Sequence, residues 1–468
     1  MIKIKKILLL LLLGLLLPKN LILHDYDAPS QQNQANHTLD TTIDGDILIV
    51  VGMLGGIDFY NISNPAVLNH LDNLQLSGGG GGQGGGSKPN CLVTSGNYAY
   101  VTTSNGLGII NISNPSNPQY LGIVSGTNGY ILENLDVHNN LLAIAAHEDG
   151  VLLYDISNPT SPNYISTIET ENAWSVNLTD YYMYIADGVN LLVYYSFDDS
   201  NNYSLMSSIE LSNAIKDIAV GDGYIFVAIG SDGVVAINTI VDATPQIIDI
   251  YNTSALANRI EIFDNNKVAV SDWDDVEVLE LNLDNSSLDL VGYKNTTRRT
   301  MAIATKGNYI YSAEWKSVQI FEYGEVNGPD IDLNMYELNY PYVNDGESYT
   351  MTLEVTNNGN SALDVTDAYT TNSEFSYDVL NDLNPGESQN INITYTANSI
   401  NASGSYRIYS NDSDENEIVC ETNGNISGAN VGDQAPDFNL PIMYNGSGNF
   451  QLSNNLGKVV VLAFFAPN

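Results

Sequence analysis

Tyr154-Asp155-Ile156-Ser157-Asn158-Pro159 decides how the chain is read. The same phrase returns as Tyr60-Asn61-Ile62-Ser63-Asn64-Pro65 and as Ile110-Asn111-Ile112-Ser113-Asn114-Pro115. A strand-like run precedes each copy: Ile57 to Tyr60, Leu107 to Ile110 and Val151 to Tyr154. Ser-Asn-Pro then ends the strand, because Asn bonds its own backbone and Pro lacks the N–H that a sheet needs.

Aligned on that strand, fainter copies follow at Leu191-Leu192-Val193-Tyr194, Val234-Val235-Ala236-Ile237, Val276-Glu277-Val278-Leu279 and Val318-Gln319-Ile320-Phe321. One insertion aside, the units recur about every 42 residues, the period of a four-stranded propeller blade and too long for ankyrin or tetratricopeptide helices. The first turn of each unit carries Gly or Asn: Asp44-Gly45, Gly96-Asn97, Asn139-Asn140, Asp222-Gly223, Asn265-Asn266 and Gly307-Asn308, with Asp180-Tyr181 as the exception. The expected fold is mainly β, with a seven-bladed β-propeller over residues 39–325. The phrase resembles the LVIVD repeat of bacterial secreted and surface proteins, which form propellers. The resemblance spans about residues 40–325, is clear in the first three units and eroded afterwards, and implies a fold rather than an activity.

At 468 residues the chain should hold two or three domains. Fifteen Lys+Arg against 55 Asp+Glu give a formal charge of -40, which repels phosphate backbones and excludes a general nucleic-acid partner. The only cysteines, Cys91 and Cys420, fall in different expected domains and read as buried free thiols. Residues 1–20 have a basic start at Lys3, Lys5 and Lys6, then an apolar run from Ile7 to Leu17, too short to span a bilayer and matching a secretory signal. Export to the periplasm, cell surface or medium is expected, with membrane attachment only through an uncleaved signal. Residues 21–38 read as a polar linker or as the strand that closes the last blade. The nearly pure Gly stretch 77–87 reads as a flexible loop, since Lys88-Pro89 cannot begin the helix that a phosphate-binding loop requires.

The pattern changes over residues 329–425. Ile331 to Tyr340, Ser348 to Thr356, Gln389 to Thr396 and Ser405 to Ser410 alternate apolar and polar residues, with turns at Asn357-Asn358-Gly359-Asn360 and Asn384-Pro385-Gly386-Glu387. Leu353-Glu354-Val355-Thr356-Asn357-Asn358-Gly359 and Leu383-Asn384-Pro385-Gly386-Glu387-Ser388 resemble Hydin-type or adhesion-related immunoglobulin-like domains, which implies a spacer.

Residues 428–468 include Val431-Gly432-Asp433-Gln434-Ala435-Pro436-Asp437-Phe438 and the apolar run Lys458 to Phe465. They resemble the opening of the redoxin or peroxiredoxin-like branch of the thioredoxin fold. In that family a reactive cysteine follows the buried strand, and no position here matches it. A run as apolar as Val459 to Phe465 needs neighbours on both sides. The expectation is therefore a chain truncated just before its nucleophile, by a recoded UGA for selenocysteine, a contig end or a true stop.

Candidate binding residues gather where the second and third strands of each unit connect and where the first strand enters, both on one propeller face. The connections supply His147, Glu148, Asp149, Asp187, Asp232, Asp272, Asp274 and Glu314; the entries supply Trp174, Lys216, Arg259, Arg298 and Arg299. Four of the eleven Lys and Arg beyond residue 20 stand at that one position, which predicts a mixed-charge mouth. Two readings stay open: surface ion pairs between neighbouring blades, each worth little, or a funnel for an anionic ligand. No metal site or other cofactor is expected. The one qualification is Asp412-x-Asp414-x-Asn416-Glu417, which resembles a calcium loop without its central Gly and distant Glu.

No Ser-His-Asp order, paired-carboxylate signature, Cys-x-x-Cys or P-loop is present. The favoured function is an exported binding or scaffold protein whose partner is an extracellular protein or small ligand. The alternative is a secreted thiol or selenol oxidoreductase once the C-terminal domain is complete.

Overall fold

The computed structural model describes residues 21–27, 37–53, 56–76, 87–196, 202–239, 245–264, 266–315, 317–324, 327–398, 402–413, 415–425, 439–441 and 449–451. Every regular element among them is a strand. Residues 1–20, expected as a signal, lie outside the described residues, as do 77–86 of the Gly-rich loop and all of 428–468 except Asn439–Pro441 and Asn449–Gln451, which pair antiparallel.

Up to Tyr323 the chain builds propeller-like blades. Five four-stranded antiparallel sheets follow in order over residues 38–74, 89–123, 135–168, 173–210 and 217–251. In most of them the second and third strands are buried on both faces, as in Ile47–Gly52 and Gly56–Asn61, so their sequences are largely continuous apolar runs rather than alternating; the third strand of the fourth sheet, Asn190–Tyr195, alternates instead. The fourth strands, such as Asn69–Leu74 and Asn163–Ile168, are the most exposed. Apolar cores lie between sheets, not within them. Leu142, Ile144 and Leu152 of the third sheet meet Tyr100, Leu107 and Ile109 of the second, and the same packing recurs sheet to sheet.

The recurring phrase fastens this arrangement. The Ser63, Ser113 and Ser157 N–H groups donate to Asn61, Asn111 and Asp155 Oδ1 at 2.9, 3.0 and 2.8 Å, closing the turn. The following apolar residue is buried, and the Ile62, Ile112 and Ile156 N–H groups each donate over 2.8 Å to the first turn of the same sheet, at Asp46, Asn97 and Asn140. The proline carbonyl then receives a tyrosine hydroxyl from the preceding sheet: Tyr100 donates to Pro159 at 3.1 Å and Tyr311 to Pro65 at 2.8 Å.

The remaining sheet has seven strands, in the order 21–27, 317–323, 309–314, 287–306, 273–282, 267–271 and 259–264. Its long strand Ser287–Lys306 pairs through its first half with Trp273–Asn282 and through its second with Tyr309–Glu314. Leu21–Asp27 lies antiparallel to Ser317–Tyr323, and Leu21 is fully buried against Ala269, Val278 and Ile310. Tyr311, Val318 and Ile320 pack on Leu48, Val50 and Tyr60 of the first sheet. Lys306 Nζ reaches Asp46 Oδ1 at 2.5 Å and the Gly45 carbonyl at 2.8 Å across the same junction.

Residues 329–425 form two four-stranded sheets around Tyr340, Leu353, Phe375, Ile391, Tyr395 and Tyr406. The expected strand Ile331 to Tyr340 is in fact two, Ile331–Leu333 and Glu337–Asn339, which join opposite sheets. The break falls at Asn334, whose N–H donates to the Glu354 carbonyl while its side-chain oxygen accepts the Glu354 N–H, ending the first pairing before the chain crosses over. Lys294 of the long strand joins this unit to the propeller. Only 1% exposed, its ammonium lies 2.9 Å from Asp330 and 2.5 Å from Glu415. Burial works to lower its pKa, but those two carboxylates hold it well above the ordinary lysine value.

Candidate functional site

The first strands of successive sheets face one another around a hub with a cavity of about 180 Å³. Four of them bring a carboxylate to it: Asp40, Asp136, Asp217 and Glu261. Asp40 accepts the Leu92 N–H at 2.8 Å, Asp136 the Leu178 N–H at 2.7 Å and Asp217 the Ile260 N–H at 3.2 Å, so a carboxylate of one sheet satisfies backbone of the next. Withdrawal from bulk water pushes Asp40 and Asp136 up to about 6. Glu261 is exposed to the water of the channel, and desolvation by the surrounding strands, followed by repulsion from Asp217, Asp136 and Asp40, pushes it up to about 8.

Arg259 supplies the hub's positive charge. Its guanidinium lies 3.7 Å from Asp217 and donates to Cys91 Sγ at 2.7 Å. Burial opposes that charge, and the surrounding groups, Asp217 and Asp40 among them, outweigh it and raise the pKa. The same burial raises the Cys91 thiol well above its ordinary value, with Arg259 working against the rise.

The sequence-predicted mouth residues divide into two sets. Asp187, Asp272 and Glu314 turn inward. Asp187 accepts the Glu171 and Asn172 N–H groups, and the fully buried Glu314 accepts from Ser312, Ser317 and Gln319. Asp272 is fully buried beside Asp275 and Glu277. Asp232 accepts from Asn213 and Ser231. Arg259 belongs to the hub, and the side chain of Arg298 lies outside the described residues.

What remains open is aromatic and cationic. Lys216 Nζ stands 4.6 Å over the Trp174 ring, whose edge meets His147 at 5.2 Å. The exposed Arg299 lies between Trp273 and Trp315, at 4.8 and 5.5 Å, and Trp315 stacks on His37 at 3.8 Å. Glu148 and Asp149 are exposed on the turn beside His147. Lys267, Lys294, Lys306 and Arg407 each rest on a carboxylate. Among the described residues Lys216 and Arg299 rest on indoles instead.

The opposite face carries a concavity of about 570 Å³ lined by His138, Asn140, Asp155, Ser157, Asp180 and Tyr203. His138 is paired to Asp180 at 2.8 Å there. At the calcium-like loop, Asp412 is buried and accepts the Ile331 N–H, the neighbouring Glu415 holds the Lys294 ammonium, and Asp414 lies outside the described residues. No described helix is long and apolar enough to cross a membrane.

Sequence reading missed the hub carboxylates. An acidic residue in the first strand of the first, third, fifth and sixth units was available in the unit alignment as a signal.

The fold is thus that of a β-propeller carrying an immunoglobulin-like domain. More narrowly, residues 90–125, 133–170 and 171–194 match the LVIVD repeat, and residues 329–425 match the HYDIN/CFA65/VesB-like Ig-like domain. Among solved structures the chain is similar to U3-55K, with a TM-score of 0.51 and 12% identity over 64% of this chain and 98% of that one. It is also similar to the WD40 beta propeller domain of Doa1, with a TM-score of 0.50 and 11% identity over 65% of this chain and 97% of that one. At such identity these likenesses speak for the fold alone. No curated protein matches the chain.

Proposed function

We propose that the chain is an exported binding and scaffold protein whose seven-bladed propeller takes an anionic group at its mouth and whose immunoglobulin-like domain acts as a spacer. Three observations support the blade count. The bond from the end of the third strand to the first turn recurs seven times, at Ile62, Ile112, Ile156, Ser196, Thr239, Leu281 and Tyr323. Ser287–Lys306 serves as the outer strand of one blade and the inner strand of the next, so the seven-stranded sheet counts as two blades. Leu21–Asp27 is then the outer strand of the seventh, and the pairing of both ends of the domain in one blade locks the ring.

The single observation that carries the ligand class is the placement of Arg299 and Lys216 on indole faces, without a carboxylate among the described residues, in a chain of net charge -40. A stacked guanidinium keeps its in-plane N–H donors free to grip a carboxylate, sulfate or phosphate in two places. The test is a screen of the full chain against immobilised acidic peptides and sulfated oligosaccharides, repeated with Arg299→Ala and Lys216→Ala. Loss of at least tenfold in affinity at an unchanged melting temperature is expected. Unchanged affinity in both variants would remove the mouth from the account. Export is supported by the basic and apolar pattern of residues 1–20, and the redox alternative by the sequence of residues 428–468 alone; peroxide turnover by a chain extended through a completed C-terminal domain, with the 468-residue chain inactive, would favour that alternative.

A further inference from the structure

The turn between Lys267–Ser271 and Trp273–Asn282, with the start of the latter strand, holds a group of acids that no cation neutralises among the described residues. Asp272, Asp275 and Glu277 are 0%, 1% and 2% exposed, and one oxygen of each lies within 4.8 Å of the others. That is the widest spacing two oxygens can have when both sit about 2.4 Å from one shared cation. Ser254 reaches all three: its N–H donates to Glu277 at 3.2 Å, and its hydroxyl contacts Asp272 at 3.0 Å and Asp275 at 2.8 Å. The Ala255 N–H adds a bond to Asp272 at 2.7 Å.

These donors do not satisfy the group. Asp275 Oδ1 and Glu277 Oε2 are buried without a hydrogen-bond partner, and the one further donor at Asp272 is the hydroxyl of Thr253, a neutral side chain. No lysine, arginine or histidine pairs with any of the three acids among the described residues. The contrast is Asp330, Asp412 and Glu415, an equally close acidic trio into which the fold inserts the ammonium of Lys294. Carboxylates packed this closely must be protonated or share a cation.

We propose that Asp272, Asp275 and Glu277, with the hydroxyls of Thr253 and Ser254, bind one Ca²⁺ ion. The donor set is all oxygen, hard and charged, with no His or Cys, and its loop-borne members suit the flexible six-to-eight coordination of calcium better than the octahedron magnesium requires. An ion there ties residues 253–255, between the fifth and sixth blades, to the turn that holds Trp273 at a φ of 57°. This inference is independent of the anion reading of the mouth.

The test is calorimetric titration of the full chain, freed of metal by chelator, with CaCl₂ and separately with MgCl₂, alongside melting curves with and without each ion. Calcium should bind with one-to-one stoichiometry and raise the melting temperature by several degrees, with magnesium binding at least tenfold more weakly. Asp275→Asn and Glu277→Gln should each abolish the calcium-dependent rise. Because amides relieve the repulsion, both variants should melt no lower than the wild type in chelator, which separates a lost site from a failed fold. Absence of a calcium-dependent rise in the wild type, or its survival in both variants, would overturn the assignment; tighter binding of magnesium would overturn the choice of ion.

Discussion

Replacing Lys294 by Met keeps the length of the side chain and removes the charge that lies between two buried carboxylates. Asp330 is 3% exposed and Glu415 10%, and they sit 2.9 and 2.5 Å from the ammonium, so neither can turn to water when the cation is lost. Breaking a buried pair of this kind costs about 3–5 kcal/mol, because it leaves uncompensated charge rather than because the pair itself is worth that much. The three tryptophans, Trp174, Trp273 and Trp315, all lie in the propeller, so their fluorescence during urea titration follows that domain alone. With a slope of about 3 kcal/mol per molar urea, the Lys294→Met midpoint should fall by about 1 M or more. Lys294→Met combined with Asp330→Asn and Glu415→Gln should recover most of the loss, since a neutral trio leaves no buried charge. A single-variant shift below about 0.3 M, or a triple variant as unstable as the single one, would refute the view that Lys294 is a buried counter-ion joining the two domains.

Other consequences follow from the hub and the turns. Arg259→Met should cost about 2–3 kcal/mol in the same titration, less than at a dry pair because the contact with Asp217 spans 3.7 Å and faces the channel. Gly150→Ala should cost about 1–3 kcal/mol or more, since residue 150 has a φ of 77° and a Cβ there would come 2.3 Å from the Ile168 carbonyl; Gly45→Ala, with open space around it, is the milder control. Glu261 has a folded pKa of about 8 against an ordinary 4.5, so between those values the folded chain keeps a proton the unfolded chain has lost, and this contribution to stability declines as pH rises through that window. Glu261→Gln should therefore gain on the wild type in melting temperature from pH 5 to pH 8.5; a constant difference would show that Glu261 does not titrate there.

The blades were legible because most of their third strands are buried on both faces, and a run such as Val151 to Tyr154 followed by Asp155-Ile156-Ser157-Asn158-Pro159 has few alternatives to a strand ending in a turn. The sharing of Ser287–Lys306 between two pairings was not legible, since no Gly or Pro marks the change of partner near Asn295 to Thr300. At the mouth, position along the chain told which residues come to one face but not which way each side chain turns. Asp187 and Glu314 serve backbone and neighbouring side chains, whereas Arg299, on the same rim, stacks between rings. Sequence position places Asp272 and Asp274 on one connection between strands, but Glu277 falls inside a strand pattern and Ser254 belongs to a distant loop that turns back onto Asp272, Asp275 and Glu277.

The central claim is a ring closed by its first strand, and amide hydrogen exchange across Leu21–Asp27 and Ser317–Tyr323 tests it most directly. The account predicts that ladder amides of both segments exchange as slowly as those of Ile47–Gly52 inside the first sheet, and that deleting residues 21–27 speeds exchange in Ser317–Tyr323 while sparing Leu141–Ala145 on the far side of the ring. Rapid exchange throughout Leu21–Asp27 in the intact chain would contradict it.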